Sequence, residues 1–260
     1  QIDSKFGFAL ETGEAFEAVK TAISLKNVTF KGVHCHIGSQ IFDISPFELA
    51  AEVMLKLIYK IKTELSYEIE ELNLGGGFGI KYTENDTPVS YDSFMERVSK
   101  TVKDTCKKLD IKQPFILIEP GRSIVGPAGI TLYTVGAVKE IPNIRTYVSI
   151  DGGMGDNPRY ALYQSEYDVE IANKASQEKT QAVTVAGKCC ESGDLIGENM
   201  PIQPVEAGDI LAVLATGAYN YSMSSNYNRI PKPPVIMVHN GKTKCVVKRE
   251  TLDDIIRNDI

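Results

Sequence analysis

No apolar run in this sequence is long enough to cross a bilayer: Ile210 to Ala218, among the longest, falls well short of the roughly 20 residues that a membrane helix needs. The start carries no basic segment followed by an apolar stretch, so no targeting signal is read there. A surplus of positive charge is missing too. With 28 Lys and Arg against 34 Asp and Glu, the net charge of −6 argues against a nucleic-acid or anionic-membrane surface. The five cysteines form no CxxC pair and no dense framework, and two of them, Cys189 and Cys190, are neighbours, so reduced thiols in a cytoplasmic setting are expected. Repeats and low-complexity tracts are also absent.

What is present is a chain of 260 residues, 43% hydrophobic and 24% charged, able to bury a substantial core in one large domain or two smaller ones. It opens on Gln1 rather than Met and is patterned within a few residues, which suggests that further sequence precedes it.

The first half alternates short apolar runs with amphipathic segments. Phe30 to Val33, Ile69 to Leu74 and Phe115 to Ile118 read as buried strands, each ending in a polar or glycine-rich loop. Between the first two, Ser45, Pro46 and Glu48 supply the cap, first-turn proline and third-position acid of a helix start. Leu49, Val53, Leu57 and Ile61 then recur at helical spacing to about Leu65. A second helix is expected from about Tyr91 to Leu109. Strand and helix alternating in units of about 40 residues imply parallel strands with right-handed crossovers, which suits a doubly wound sheet or half of a (β/α)8 barrel. From about Gly126 the texture becomes β-rich, with expected strands at Gly129 to Val138, Thr146 to Ile150, Gln181 to Ala186, Ile210 to Leu214 and Val235 to His239. A short helix is expected from Arg249 to Ile256. The boundary is read near residue 126, giving domains 1–125 and 126–260.

Three loops at strand ends carry candidate chemistry. Gly75, Gly76 and Gly77 let backbone N–H groups approach a phosphate without side chains in the way. The run from His34 to Ser39 would send His34 and His36 to one side of its strand. Glu119, Gly121 and Arg122 present a carboxylate and a guanidinium together, and such a carboxylate can keep a ring nitrogen protonated. Each has a plainer reading: a turn, a structural histidine, an ion pair. A metal pair at His34 and His36 has no carboxylate or cysteine partners at ligand spacing, so no metal is expected.

Taken together, these loops resemble the barrel domain of the fold-type III pyridoxal-phosphate enzymes, which include alanine racemase and the ornithine, arginine and diaminopimelate decarboxylases. The second half is similar to the diaminopimelate decarboxylase family in three further segments: Asp151 to Tyr163, Cys190 to Asp194, and Gly217 to Asn228. The resemblance covers essentially the whole chain. It implies a partial alanine racemase-like TIM barrel followed by a C-terminal β-barrel or sandwich domain, with pyridoxal 5'-phosphate as cofactor. His36 would stack on the cofactor ring, Ser39 and the glycines from Gly75 to Gly77 would hold its phosphate, and Glu119 would bind its nitrogen. Gly121, Arg122 and Tyr219 would complete the cofactor site. Arg122, Arg159, Tyr163, Glu191 and Tyr219 would bind substrate, and Cys190 would be the proton donor. The implied reaction converts meso-diaminopimelate to L-lysine and carbon dioxide, in a homodimer whose subunits share active sites.

The chain departs from the family's pattern at one point. The early barrel strand bearing the lysine that links covalently to the cofactor has no counterpart here, and neither Lys81 nor Lys188 lies in a matching context. The chain alone is therefore expected to be inactive, and the function to belong to a longer parent. Two rival readings remain: an ornithine- or arginine-type decarboxylase, which the pairing of Arg159 with Glu191 disfavours, and a noncatalytic homologue that keeps only the scaffold.

Overall fold

The computed structural model describes residues 5–260. Its contacts divide the chain into two compact units, Gln1–Gly79 with Thr87–Gly121, and Ile80–Asp86 with Arg122–Ile260.

In the first unit, helix α1 (Glu14–Ser24) leads into β1 (Gly32–His34), α2 (Ser45–Leu65), β2 (Glu71–Asn73), α3 (Tyr91–Leu109) and β3 (Phe115–Leu117). The strands form a parallel sheet in the order β1-β2-β3, with Val33, Leu72 and Ile116 in register across it. A parallel pair needs a crossover, and α2 and α3 supply one each. This three-stranded parallel sheet with its crossover helices is consistent with the partial barrel that the family resemblance implies, one of the two architectures left open by the alternation.

The buried stripe of α2 is Phe47, Ala51, Met54, Leu55, Ile58 and Ile61, with Leu57 beside it. The expected stripe began at Leu49, which is exposed. A strict four-residue step advances about 400° and drifts around the helix, whereas mixed steps of three and four stay on one face. Ser45 is the first helical residue rather than the cap: the Asp43 carboxylate accepts from its backbone N–H at 3.0 Å and from its hydroxyl at 2.9 Å. Glu48 turns to Arg97 of α3, whose Nε donates to it at 3.1 Å. Helix α3 runs over the expected span and buries Phe94, Val98, Val102 and Cys106, while Ser90 caps it by accepting from the Ser93 N–H. Phe94 meets both Phe47 and Phe78 edge-on, each with ring centroids 4.6 Å apart. That cluster pins both helices to the segment just after the glycine loop.

The second unit contains α4 (Arg122–Val125), β4 (Thr131–Ile141), β5 (Arg145–Ile150), α5 (Arg159–Tyr163), β6 (Val169–Ile171), β7 (Gln181–Ala186), β8 (Leu195–Ile202), β9 (Ile210–Val213), α6 (Asn220–Met223), β10 (Val235–His239), β11 (Lys242–Val247) and α7 (Leu252–Ile256). Strands β4 to β9 form one sheet in the order β6-β9-β4-β5-β7-β8, and β10 pairs with β11 as a hairpin. The all-β expectation holds, with only short helices between strands. Tyr133, Val135, Val148, Ile150, Val183, Val185, Ile196, Leu211 and Val213 belong to its core.

Strand β8 escapes a reading by pattern because Gly197, Asn199 and Pro201 interrupt it. Its pairing with β7 accommodates them through register shifts, and Asn199 takes φ 53°. The short strands β6 and β11 were not anticipated either. Among the described residues no helix is long and apolar enough to cross a membrane.

Candidate active site

Because β1, β2 and β3 run in one direction, the loops that follow them leave the same edge of the sheet. These loops meet at the glycines. Gly75 has φ 70°, and a Cβ there would stand 2.6 Å from the Cys35 carbonyl oxygen and 3.1 Å from His36 Nδ1. Gly77 has φ 110°, and its Cβ would lie 2.4 Å from the carbonyl oxygen of Gly38. Any side chain at either position would strain the backbone and force the loops apart. Gly76 lies in the same way against the Glu119 carbonyl. Main-chain bonds lock the arrangement: Glu119 N donates to Gly75 O at 2.8 Å, and Ile41 N to Gly77 O at 2.9 Å.

Glu119 is held at both oxygens. Asn73 Nδ2 donates to one at 2.9 Å, and His34 Nε2 lies 3.4 Å from the other. Asn73 in turn accepts from the Gly75 N–H at 2.8 Å, so one side chain orients both the carboxylate and the glycine loop. His36 lies against Gly75, and Ser39 follows directly on Gly38. A Cβ on Gly121 would meet nothing, so spacing there does not require glycine. Beside this set, burial pushes the Cys35 thiol up to about 11, keeping it neutral.

A glycine-walled cradle beside a fixed, half-exposed carboxylate suits a phosphorylated heteroaromatic ring: N–H groups and a short hydroxyl for the phosphate, an acid for the ring nitrogen. The residues present fit pyridoxal phosphate. Sequence reading did not find Asn73 and named His34 without its contact to Glu119, because their partner lies 46 and 85 residues away.

The second unit holds a cluster of another kind. Arg159 is buried, with 7% of its surface exposed, and its Nη1 donates to the hydroxyls of Tyr167 at 2.7 Å and Tyr82 at 3.0 Å. Arg122 Nη1 donates to the same Tyr82 hydroxyl at 2.5 Å. Both guanidinium groups also lie against the Tyr219 ring, 4.6 and 5.4 Å from its centroid. Tyr219 itself sits at φ 72°, a backbone conformation that costs free energy in a non-glycine residue. No carboxylate pairs with Arg159 among the described residues. A buried cation surrounded by neutral hydroxyls and ring faces is prepared to receive an anion. Burial raises the Tyr167 phenol above its ordinary value, against the opposing pull of Arg159, so its hydroxyl stays neutral.

The structure thus brings Arg122, Arg159 and Tyr219 together and adds Tyr82 and Tyr167, which sequence reading did not find. Tyr163 ends the same short helix but is exposed. Cys190 and Glu191 lie on a separate exposed loop, where the Tyr227 hydroxyl donates to Glu191 at 3.4 Å. Asp194 anchors that loop: its carboxylate accepts from Met154 N at 2.5 Å and Cys189 N at 2.7 Å. Burial, reinforced by the Asp194 charge, pushes the Cys189 thiol up to about 11.

Residues 1–126 match the family model described as the pyridoxal-binding domain of pyridoxal-dependent decarboxylases. Over those residues the chain is similar to that domain. It is 49% identical over 260 residues to a diaminopimelate decarboxylase of Bacillus subtilis, covering all of this chain and 59% of the relative. Against the Staphylococcus aureus enzyme of the same name it is 47% identical over 260 residues, covering 61% of that protein. A solved diaminopimelate decarboxylase from M. jannaschii in complex with L-lysine superposes with a TM-score of 0.91 at 36% identity, covering 99% of this chain and 58% of that one. The corresponding L-lysine complex from Helicobacter pylori gives 0.86 at 29% identity, covering 98% of this chain and 60% of that one. The chain therefore spans about three-fifths of the length of these relatives.

Proposed function

We propose that the protein of which this chain forms part decarboxylates meso-2,6-diaminopimelate to L-lysine and carbon dioxide, with pyridoxal 5'-phosphate as cofactor. The observation that carries this reading is Arg159: a buried guanidinium with hydroxyls and rings around it and no acid beside it, in a chain 49% identical to a diaminopimelate decarboxylase. Diaminopimelate ends in a carboxylate far from the bond that breaks, and such a group needs a desolvated cation.

When bound, the cofactor supplies an electron sink for the pair left behind as carbon dioxide departs. The chain's residues do the rest. Glu119, oriented by Asn73 with His34 beside it, would pair with the ring nitrogen and favour its protonated form. Ser39 and the loop from Gly75 to Gly77 would hold the phosphate with N–H and O–H donors, and His36 would lie against the ring. Gly121, Arg122 and Tyr219 complete the cofactor and substrate contacts. Arg159 and Tyr163 bind the distal carboxylate, and Glu191 binds the distal ammonium. Cys190 delivers a proton to the carbon that lost its carboxylate and regains one from solvent, which balances the reaction. The exposed loop of Cys190 and Glu191 suits a homodimer in which each subunit completes the other's site, and a cytoplasmic location suits its free thiols.

An ornithine-type activity is the second reading. A solved Vibrio vulnificus lysine/ornithine decarboxylase shares the fold at 21% identity. Its named diamine products have no carboxylate for Arg159 to meet.

The test is lysine release from meso-diaminopimelate by the full-length protein and by this 260-residue chain, each with added pyridoxal phosphate. Release by the full-length protein alone is expected. Turnover by the short chain would mean that a lysine within it carries the cofactor. Release of putrescine from ornithine in place of lysine would favour the second reading, and no turnover of either substrate would favour the noncatalytic scaffold.

A further inference from the structure

The bonds around Arg159 leave an excess of donors. A phenol oxygen accepts through its lone pairs and donates one proton. At Tyr167 the roles are filled: the hydroxyl accepts from Arg159 and donates to Asn220 Oδ1 at 3.4 Å. At Tyr82 the oxygen accepts twice, from Arg122 and from Arg159, and its own proton has no acceptor among these bonds. Tyr82 is buried, so a donor left without an acceptor there is costly. Two neighbours repeat the pattern. Asn157 Oδ1 accepts from Arg159 N, and Asn220 Oδ1 accepts from Tyr167, while the Nδ2 of each is buried without a partner. The donors facing each carboxamide oxygen oppose the flipped orientation.

Arg159 has spent Nη1 on the two tyrosines, so its bonds leave the Nε and Nη2 edge, the fork that matches a carboxylate. What the cluster needs is an acceptor with several lone pairs. We propose that the Tyr82 hydroxyl donates the third hydrogen bond to the carboxylate that Arg159 binds through this edge, and so selects substrates that end in that group. The inference rests on the distal-carboxylate reading above and adds Tyr82 to it as a specificity-determining residue. The bridge to both guanidinium groups also fixes their spacing, which a phenylalanine would leave to ring contacts alone.

The probe is pimelate, the diacid of the same chain length without amines, titrated calorimetrically into the full-length protein and into its Tyr82→Phe and Tyr167→Phe variants, with thermal unfolding of each as a control. Tyr82→Phe should bind about ten- to a hundredfold more weakly, the loss expected for a hydrogen bond to a charged group. Tyr167→Phe, whose proton is already spent, should lose less. Equal binding by Tyr82→Phe, or a larger loss in Tyr167→Phe, overturns the inference and leaves the proposed activity standing. Absence of pimelate binding by the unmodified protein overturns it as well, and lysine release by the full-length protein then decides whether the activity falls with it. Should Tyr82→Phe fail to fold, labelling the tyrosine Cζ carbons of the unmodified protein gives the same answer. A proton donated to pimelate shifts the Tyr82 resonance, and an unmoved resonance rejects the proposal.

Discussion

The two units build binding groups from different materials. In the first, the loops are fitted by backbone: glycines against carbonyls, with a carboxylate and a histidine half-open to solvent beside them. In the second, the fitting is by side chains: two arginines set by tyrosine hydroxyls and rings, Arg159 buried and Arg122 half-buried. The contrast follows the ligands that each would take. A phosphate needs many N–H donors at close range, which only bare backbone can crowd together. A carboxylate at the end of a flexible chain needs few donors in a place where water does not compete.

The largest effect should come from placing a side chain in the backbone-built site. Gly77→Ala combines a positive φ with a Cβ 2.4 Å from a carbonyl oxygen, and should cost the first unit about 3 kcal/mol in urea unfolding. Gly121→Ala, which meets nothing, should leave stability within about 0.5 kcal/mol of the parent. Equal losses at the two positions would break the contrast.

In the second unit the comparable damage requires emptying the core. Leu211→Ala, at a fully buried position of β9, should cost about 2–5 kcal/mol in the same measurement. If Tyr82→Phe cost as much, the tyrosine cluster would be a packing element rather than a binding one.

The smallest effects distinguish the units by pH. Asp43 in the first unit has its carboxyl held below the ordinary value, chiefly by the Ser45 backbone N–H and then by the Ser45 hydroxyl. Its contribution is therefore present above the unfolded carboxyl value and lost as pH falls through the lower folded one. Asp43→Ala should lower the melting temperature at pH 7 and match the parent in stronger acid. Asp156 in the second unit is raised, first by burial. The sign reverses: its native state favours the protonated form, and stability is lost as pH rises from the unfolded value through the folded one. Asp156→Asn should melt with the parent near pH 3 and above it at pH 7. Identical pH curves for the two variants would remove this distinction.

Local features were legible in the residue pattern: the strand–helix alternation, the span of α3, most large strands of the second half, and the order of the motifs. These rest on periodicity and on glycine, proline and capping chemistry, all of which act within a few residues. The sequence also pointed to Arg122, Arg159 and Tyr219, through resemblance rather than spacing. Tertiary structure alone decided how they are held. Tyr82 belongs to a seven-residue segment, Ile80–Asp86, that leaves the first half of the chain to join the second unit, and nothing in its local pattern announces this. The same holds for Asn73 and His34 aiming Glu119, and for Asp194 tying the Cys189 backbone to Met154. A polar contact between residues 40 to 85 positions apart leaves no periodic trace, because its geometry is set by how sheets and loops pack.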